Sequence, residues 1–280
     1  MKRLLIAGFG DIARRALPCL ERRFEVAPLS RRHGFDLDQR QSLALPAAHA
    51  LLHCAPPPAQ GESDTRSANL LAALEKDSIL PARIVYLSTS GVYGDCAGAR
   101  VDESRPPSPQ TDRARRRMDG ERRLAQWTTS RNIALVVLRV PGIYAAERLP
   151  LERLRAGSAV LRAADDVYTN HIHADDLAAI ACRGLEEDAP AGVYNAVDDT
   201  ELKMGDWFDL VADAHGLPHA PRVSREEAEK SLDPLLFSFM RESRRLDNTR
   251  LKSLLGVRLR YPTVYEGLKH GHLARSHQPA

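Results

Sequence analysis

Gly8, Gly10 and Ala13 are spaced Gly-x-Gly-x-x-Ala, directly after the apolar run Leu4–Ala7. In such a pattern the first glycine allows a tight turn, the second lets backbone approach a bulky ligand, and the small third residue lets a helix pack closely on its strand. Asp11 and Ile12 then open an amphipathic run. The first N–H groups of a helix have no partner within it and carry a partial positive charge. The chemistry this suits is the binding of a dinucleotide pyrophosphate. Two further clusters have chemical potential. Ser88, Thr89 and Ser90 follow the apolar run Val85–Leu87, so three hydroxyls stand at a strand end. No Gly-x-Ser-x-Gly turn surrounds them, which argues against a nucleophilic serine. His171 and His173, near Asp175 and Asp176, alternate as same-face residues of a strand do. Two such histidines could ligate a metal and support hydrolysis. The preferred reading is that Asp175 or Asp176 caps the next helix, and no metal site is predicted.

The elements that must position these residues read as an α/β alternation. Strand-like runs occur at Arg3–Ala7, Val26–Leu29, His49–Cys54, Arg83–Leu87 and Ile133–Leu138. They are mostly continuous apolar runs, as in strands covered on both faces. Helical patterns lie between them at Asp11–Leu20, Ser63–Leu74 and Thr111–Trp127. The predicted fold is a doubly wound, mostly parallel sheet with ligands at the strand C-terminal ends. Ala55, Pro56 and Pro57 would border the ligand at the point where strand order reverses. Beyond Tyr144 the texture changes. Val167–His173 and Gly192–Val197 read as strands, Leu149–Leu154 and Ala174–Leu185 as helices, and Met204–Ala214 as an amphipathic helix that Gly216 would stop. Asn248 is expected to cap a helix over Thr249–Leu255. The expected organisation is a dinucleotide-binding domain over residues 1–145, with 167–198 returning to it. A smaller α/β lobe takes 146–166 and 199–270, and 271–280 form a frayed tail.

The 280 residues carry 40 basic and 37 acidic side chains, a net +3. That near-balance gives no case for nucleic acid as a partner. The run Arg113-Ala114-Arg115-Arg116-Arg117 is diluted by Asp112, Asp119 and Glu121 and reads as a solvated helix face. Four scattered cysteines without a Cys-x-x-Cys pair read as reduced thiols. The N-terminal apolar run is too short for a signal peptide, and Ile133–Ala146, broken by Arg139, is too short to span a bilayer. A soluble cytoplasmic protein with a small-molecule substrate and no membrane or nucleic-acid partner is expected.

Val85-Tyr86-Leu87-Ser88-Thr89-Ser90-Gly91-Val92-Tyr93-Gly94 closely resembles the extended short-chain dehydrogenase/reductase family, in its NAD-dependent epimerase/dehydratase branch. Further likenesses follow in the family's order. Leu138-Arg139-Val140-Pro141-Gly142-Ile143-Tyr144 resembles the segment beside the nicotinamide, so Pro141, Gly142 and Ile143 are implied cofactor contacts. Asn170-His171-Ile172-His173-Ala174-Asp175-Asp176-Leu177-Ala178 resembles its His-x-x-Asp-Leu-Ala element, and Tyr194-Asn195 its Tyr-Asn strand. Asp36-Leu37 resembles its adenine-side Asp-Leu pair. The resemblance covers nearly the whole chain. It implies redox chemistry on a sugar nucleotide or similar small molecule, assisted by Ser or Thr, Tyr and Lys.

By that resemblance Thr89 takes the hydroxyl position, beside Ser88, and Glu121 the family's following Glu. The Tyr and Lys positions fall on Arg113 and Arg117. A guanidinium stays protonated near neutral pH, so Arg113 cannot exchange the proton that the tyrosine exchanges. Arg117 can still donate to ribose hydroxyls. The chain therefore resembles atypical branches that lack the Tyr–Lys pair, and Tyr93, Tyr144 and His173 are candidate proton donors. The second strand ends Leu29-Ser30-Arg31-Arg32, without the carboxylate that binds a ribose 2′-hydroxyl. Ser30, Arg31 and Arg32 suit a 2′-phosphate, so NADP is expected in preference to NAD. A non-catalytic NAD(P)-binding sensor or scaffold is the alternative. The family often dimerises through paired helices, but Thr111–Trp127 is unusually charged, so monomer and homodimer both stand.

Overall fold

The computed structural model describes residues 1–39 and 44–275, with side chains through Lys269. The chain runs β1 (Lys2–Ala7), α1 (Asp11–Leu20), β2 (Phe24–Leu29), β3 (Ala50–His53), α2 (Thr65–Lys76), β4 (Arg83–Thr89), β5 (Arg100–Val101), α3 (Asp112–Thr129) and β6 (Ala134–Val140). It continues through β7 (Gly142–Tyr144), α4 (Leu151–Arg155), β8 (Val160–Leu161), β9 (Tyr168–Thr169), β10 (His171–His173), α5 (Ala174–Gly184) and β11 (Gly192–Asn195). The last part holds β12 (Leu202–Lys203), α6 (Met204–His215), β13 (Arg222–Val223), α7 (Arg225–Ser231), α8 (Pro234–Phe239), β14 (Arg245–Leu246), α9 (Thr249–Ser253) and α10 (Val264–Arg275).

Six strands form one sheet in the order β11-β6-β4-β3-β1-β2, and every pairing is parallel. The alternation of side chains along a strand explains its two covered faces. Leu4 and Ile6 of β1 pack with α1 and α5, whereas Leu5 and Ala7 pack with α2 and α3. The chain leaves β1 for β2 on one side and returns across it to β3 on the other. The crevice therefore opens at the C-terminal ends of β1 and β3.

A third core joins Leu151, Leu154, Val160 and Leu161 to Trp207, Phe208, Val211 and Val264. This is the apolar centre of the smaller lobe. The stretch predicted for that lobe does not stay in it. Arg245 and Leu246 pair with Arg100 and Val101, and Leu251, Leu255 and Leu259 pack into the core of the large sheet. The expected tail falls partly in α10, and residues 276–280 lie outside the described residues.

Three local expectations are corrected. The run Val167–His173 is two short strands, because Asn170 leaves the ladder to bind elsewhere. Its Nδ2 donates to the Arg244 carbonyl at 2.9 Å, and its Oδ1 accepts from the Leu246 N–H at 2.8 Å. The cap of α5 is neither Asp175 nor Asp176 but His173, whose Nδ1 accepts from the Asp175 N–H at 3.2 Å. Asp176 instead accepts the Arg260 and Tyr261 N–H groups at 2.7 and 2.9 Å. Asn248 sits at the cap of α9 without capping it through its side chain, and the neighbouring Asp247 Oδ1 takes the Thr249 N–H at 2.8 Å.

Asp198 carries a consequence for stability. It lies 2% exposed beyond β11. One carboxyl oxygen accepts from the Thr200 N–H at 2.9 Å, and the other is buried without a partner. Burial pushes its pKa up to about 8. An unfolded Asp releases its proton near pH 3.9 while the folded one keeps it, so stability falls as pH rises from about 4 to about 8 and then levels off. The slope is on the order of 1.4 kcal/mol per pH unit. Asp198→Asn removes that dependence. Its gain in melting temperature should be small at pH 5 and larger at pH 8; an equal gain at both would mean the carboxyl is ionised in the fold.

Candidate functional site: a groove across the sheet's C-terminal edge

The first part of the site is the turn after β1. Gly8 has φ +86°, and a Cβ there would stand 2.4 Å from the Ala55 nitrogen. Glycine is required on both counts. The close approach follows from the crevice itself, because the Ala55 N–H donates to the Ala7 carbonyl at 2.9 Å. Gly10 begins α1 without a side-chain cap. A Cβ on Gly10 would meet nothing within 4 Å, so it faces open space. Gly8, Gly10, Asp11, Ile12 and Ala13 line this part of the groove together with Cys54, Ser88 and Arg117. Asp11 is the only acid in the first turn of α1. It is matched by Arg15 and Arg148, each at 3.1 Å. The helix start therefore stays receptive to an anion.

Ser30, Arg31 and Arg32 stand at the end of β2. The Ser30 hydroxyl bonds His33 Nδ1 at 2.7 Å, and the His33 ring meets Phe9 edge-on at 5.8 Å. This loop is thereby tied to the glycine turn. Arg31 is held by Asp36 at 3.2 Å and by Asp38. Asp38 also binds Arg66 at 2.6 Å, and Arg66 reaches the Pro56 carbonyl at 3.0 Å. Arg32 is exposed. Leu37 is buried in the α2-side core, so of the predicted Asp36-Leu37 pair only Asp36 lies at the surface loop.

The groove continues past Pro56, Pro57, Ser88, Thr89, Arg113, Arg116, Arg117, Pro141 and Ile143. Arg117 reaches across from α3 and donates to the Ala55 carbonyl at 3.2 Å and to the Tyr86 hydroxyl at 3.3 Å. It thus fixes α3 against the loop after β3. Ser88 lines the groove, but its hydroxyl donates to Glu121 at 2.5 Å. Glu121 and Arg139 form an ion pair at 2.8 Å with both side chains 5% exposed. The Arg139 guanidinium also lies 4.7 Å over the Tyr93 ring. The predicted family Glu is therefore the centre of a buried cluster under the end of β4.

Beyond Thr89 the groove deepens into a cavity between the sheet and the smaller lobe. Thr89, Ser90, Arg113, Pro141 and Gly142 meet Tyr168, Asn170, Phe239, Glu242 and Arg244 there. The Thr89 Oγ accepts from the Gly91 N–H at 3.3 Å, which leaves its own proton to donate. Arg113 stacks over Phe239 at 4.4 Å, and burial lowers its pKa from the usual range. Thr89, Arg117, Pro141 and Ile143 line the groove, and Gly142 lines the cavity that continues it. The three candidate proton donors do not line either. Tyr93 donates to Asn195 Oδ1 at 2.9 Å, Tyr144 to the Thr263 carbonyl at 3.2 Å, and His173 caps α5.

Sequence reasoning missed Tyr168, Phe239, Glu242 and Arg244. A partial signal existed. Ser224-x-x-Glu227 is a capping box that begins α7, and Asp233-Pro234 caps and opens α8. Those helices carry the chain to Phe239. Nothing local marks which side chains then face the cavity. The two histidines read as a same-face pair each pack on an aromatic ring. His171 packs on Trp207 at 4.5 Å, and His173 on Tyr261 at 3.9 Å.

The NAD dependent epimerase/dehydratase family model matches residues 62–196. Among solved structures the chain is similar to a functionally unknown conserved protein from Silicibacter pomeroyi. The identity is 30%, the match covers 98% of this chain and 99% of that one, and the TM-score is 0.82. It is similar in fold to RMD from Pseudomonas aeruginosa complexed with NADPH, at 20% identity, 97% and 98% coverage and TM-score 0.73. The human epimerase family protein SDR39U1 with NADPH matches at 19% identity, 96% and 98% coverage and TM-score 0.73. Comparison with curated proteins returns no match. The doubly wound sheet and the groove at its C-terminal edge thus belong to an α/β fold of the dinucleotide-binding kind. The chain is a member of the NAD-dependent epimerase/dehydratase family. Among the described residues no helix is long and apolar enough to cross a membrane.

Proposed function

We propose that the protein binds NADP and acts as an oxidoreductase or epimerase-like enzyme on a small carbonyl or hydroxyl substrate. The observation that carries this is the glycine turn. Gly8 must be glycine for the backbone to pass Ala55, and Gly10 faces space that no protein atom fills. That space adjoins the uncapped start of α1, which suits a pyrophosphate. The NADPH bound to two structural neighbours supports the same reading.

In this reading Gly8, Gly10, Asp11 and Ile12 present backbone to the phosphates. Arg117 donates to ribose hydroxyls, and Ala55, Pro56 and Pro57 border the cofactor. Pro141, Gly142 and Ile143 wall its nicotinamide end. Ser30 and Arg32 meet the 2′-phosphate, with Arg31 shared between that phosphate and its two carboxylates. The cofactor supplies or accepts hydride. Thr89 donates a hydrogen bond to the substrate oxygen. Tyr168 lines the same cavity as Thr89, and we assign it the proton exchange that Arg113 cannot perform. The four unpaired cysteines support a cytoplasmic setting.

Titration calorimetry with NADPH and NADH tests the cofactor. NADPH should bind more tightly, and Arg32→Ala should cost it about tenfold, the loss of one charge-assisted hydrogen bond, while leaving NADH unchanged. NADPH oxidation with a panel of carbonyl compounds tests the chemistry, and Tyr168→Phe should abolish it without weakening NADPH. The replacement of Tyr and Lys by Arg113 and Arg117 favours one other reading, a non-catalytic sensor. Tight NADPH binding with no turnover across the panel would select it. No binding of either dinucleotide would end both readings.

A further inference from the structure

The cavity between the sheet and the smaller lobe has a charge pattern that the dinucleotide reading does not use. Its charged lining residues are Arg113, Glu242 and Arg244. Arg244 and Glu242 pair at 2.8 Å, with side chains 12% and 10% exposed. Arg244 also donates to the Gly94 carbonyl at 2.7 Å, which fixes it. Each member of the pair retains one buried polar atom without a partner, Nε of Arg244 and Oε1 of Glu242. Their hydrogen-bonding capacity is only partly used at the cavity wall, and a polar group left so is costly.

Arg113 is held differently. Its guanidinium rests on the Phe239 ring at 4.4 Å, and no carboxylate among the described residues forms an ion pair with it. A desolvated cation on an aromatic face, at the mouth of a cavity, attracts an anion. Two guanidiniums against one carboxylate leave a single positive charge. A monoanion balances it. A diphosphate would exceed it and would face Glu242. The cavity encloses about 180 Å³, less than the roughly 300–1,000 Å³ usual for larger ligands. Thr89, Ser90 and Asn170 add polar atoms to the lining.

We propose that this cavity binds a compact polyhydroxylated monocarboxylate, a sugar acid without a nucleotide. Its carboxylate lies on Arg113 and its hydroxyls donate to Glu242. The inference rests on the proposed NADP-dependent reading, for it takes the cavity beyond Thr89 as the substrate end of that groove. It also explains the arginine at the tyrosine's position. The side chain that cannot carry a proton becomes the anchor for charge.

The test uses the full chain saturated with NADP and reads heat of binding. The probes are gluconate, its neutral counterpart sorbitol, hexanoate, which lacks hydroxyls, and UDP-glucose. Gluconate should bind at least tenfold more tightly than sorbitol or hexanoate, and more tightly than UDP-glucose. Arg113→Met, whose side chain still covers Phe239, should weaken gluconate at least tenfold while leaving sorbitol unchanged. Glu242→Gln should narrow the preference for gluconate over hexanoate. Melting temperatures of both variants report whether they fold. Gluconate binding that is absent, equal to sorbitol or unaltered by Arg113→Met overturns the proposal. If NADP itself fails to bind, the cofactor reading fails first, so the two failures are separable.

Discussion

Gly10→Asp should leave the protein folded and reduce NADPH affinity at least a hundredfold. A Cβ at Gly10 meets no protein atom, so the fold has no reason to resist the substitution. The new carboxylate would occupy the space at the start of α1, next to where Asp11 already stands. A second negative charge there repels a phosphate and removes the close backbone approach. The melting temperature without ligand should stay within a few degrees of the wild type, and stabilisation by NADPH should disappear. Gly8→Ala makes the contrast. Its Cβ would collide with the Ala55 backbone from a positive φ, so it should destabilise the fold itself. If Gly10→Asp retains wild-type NADPH affinity, the pyrophosphate is not bound at this turn.

Arg139→Met should cost about 3–5 kcal/mol of stability, the usual loss when one partner leaves a buried ion pair. Glu121 would remain 5% exposed with only the Ser88 hydroxyl to meet its charge. For a domain of this size that corresponds to a fall of roughly 10 °C in melting temperature. The pair as a unit is less valuable than its breakage suggests, because both charges were taken out of water to form it. Arg139→Met with Glu121→Leu should therefore recover much of the loss. Denaturant unfolding of the two single variants and the double variant gives the coupling directly. Additive losses would show that the two side chains act independently. Ser88 would lose its fixed partner in the double variant, so groove geometry, read as NADPH affinity, should change even where stability returns.

The fold was legible where one residue's neighbours in sequence are also its neighbours in space. Leu4–Ala7 announces a strand covered on both faces, and Gly8, Gly10 and Ala13 announce the turn and helix that follow. The limits of α1 and α6 could be read from Asp11 and from Gly216, the latter at φ +62°. The site was half legible. Its sheet-edge residues sit at strand ends, which a periodic pattern locates. Tyr168 comes from a two-residue strand, Phe239 from the six-residue α8, and Glu242 and Arg244 from the loop between α8 and β14, all too brief to show an apolar period. Arg139 shows a different limit. It reads as a break in the apolar run Ile133–Ala146, yet it is buried because Glu121 arrives from a helix 18 positions earlier. A charged residue in such a strand demands a partner, but the sequence does not say which acid provides it.

Asn195 binds the Val101 carbonyl at 3.1 Å and the Asp247 carbonyl at 3.0 Å, and β14 adds a parallel backbone ladder to β5. The segment after Glu242 and Arg244 is thus tied to the loop that follows Thr89 by the β5–β14 ladder and by the Asn195 side chain. Such a cleft does not part like a jaw. A ligand threads in along the open trough, and its arrival should be governed by diffusion and charge, with little waiting for the lobes to swing.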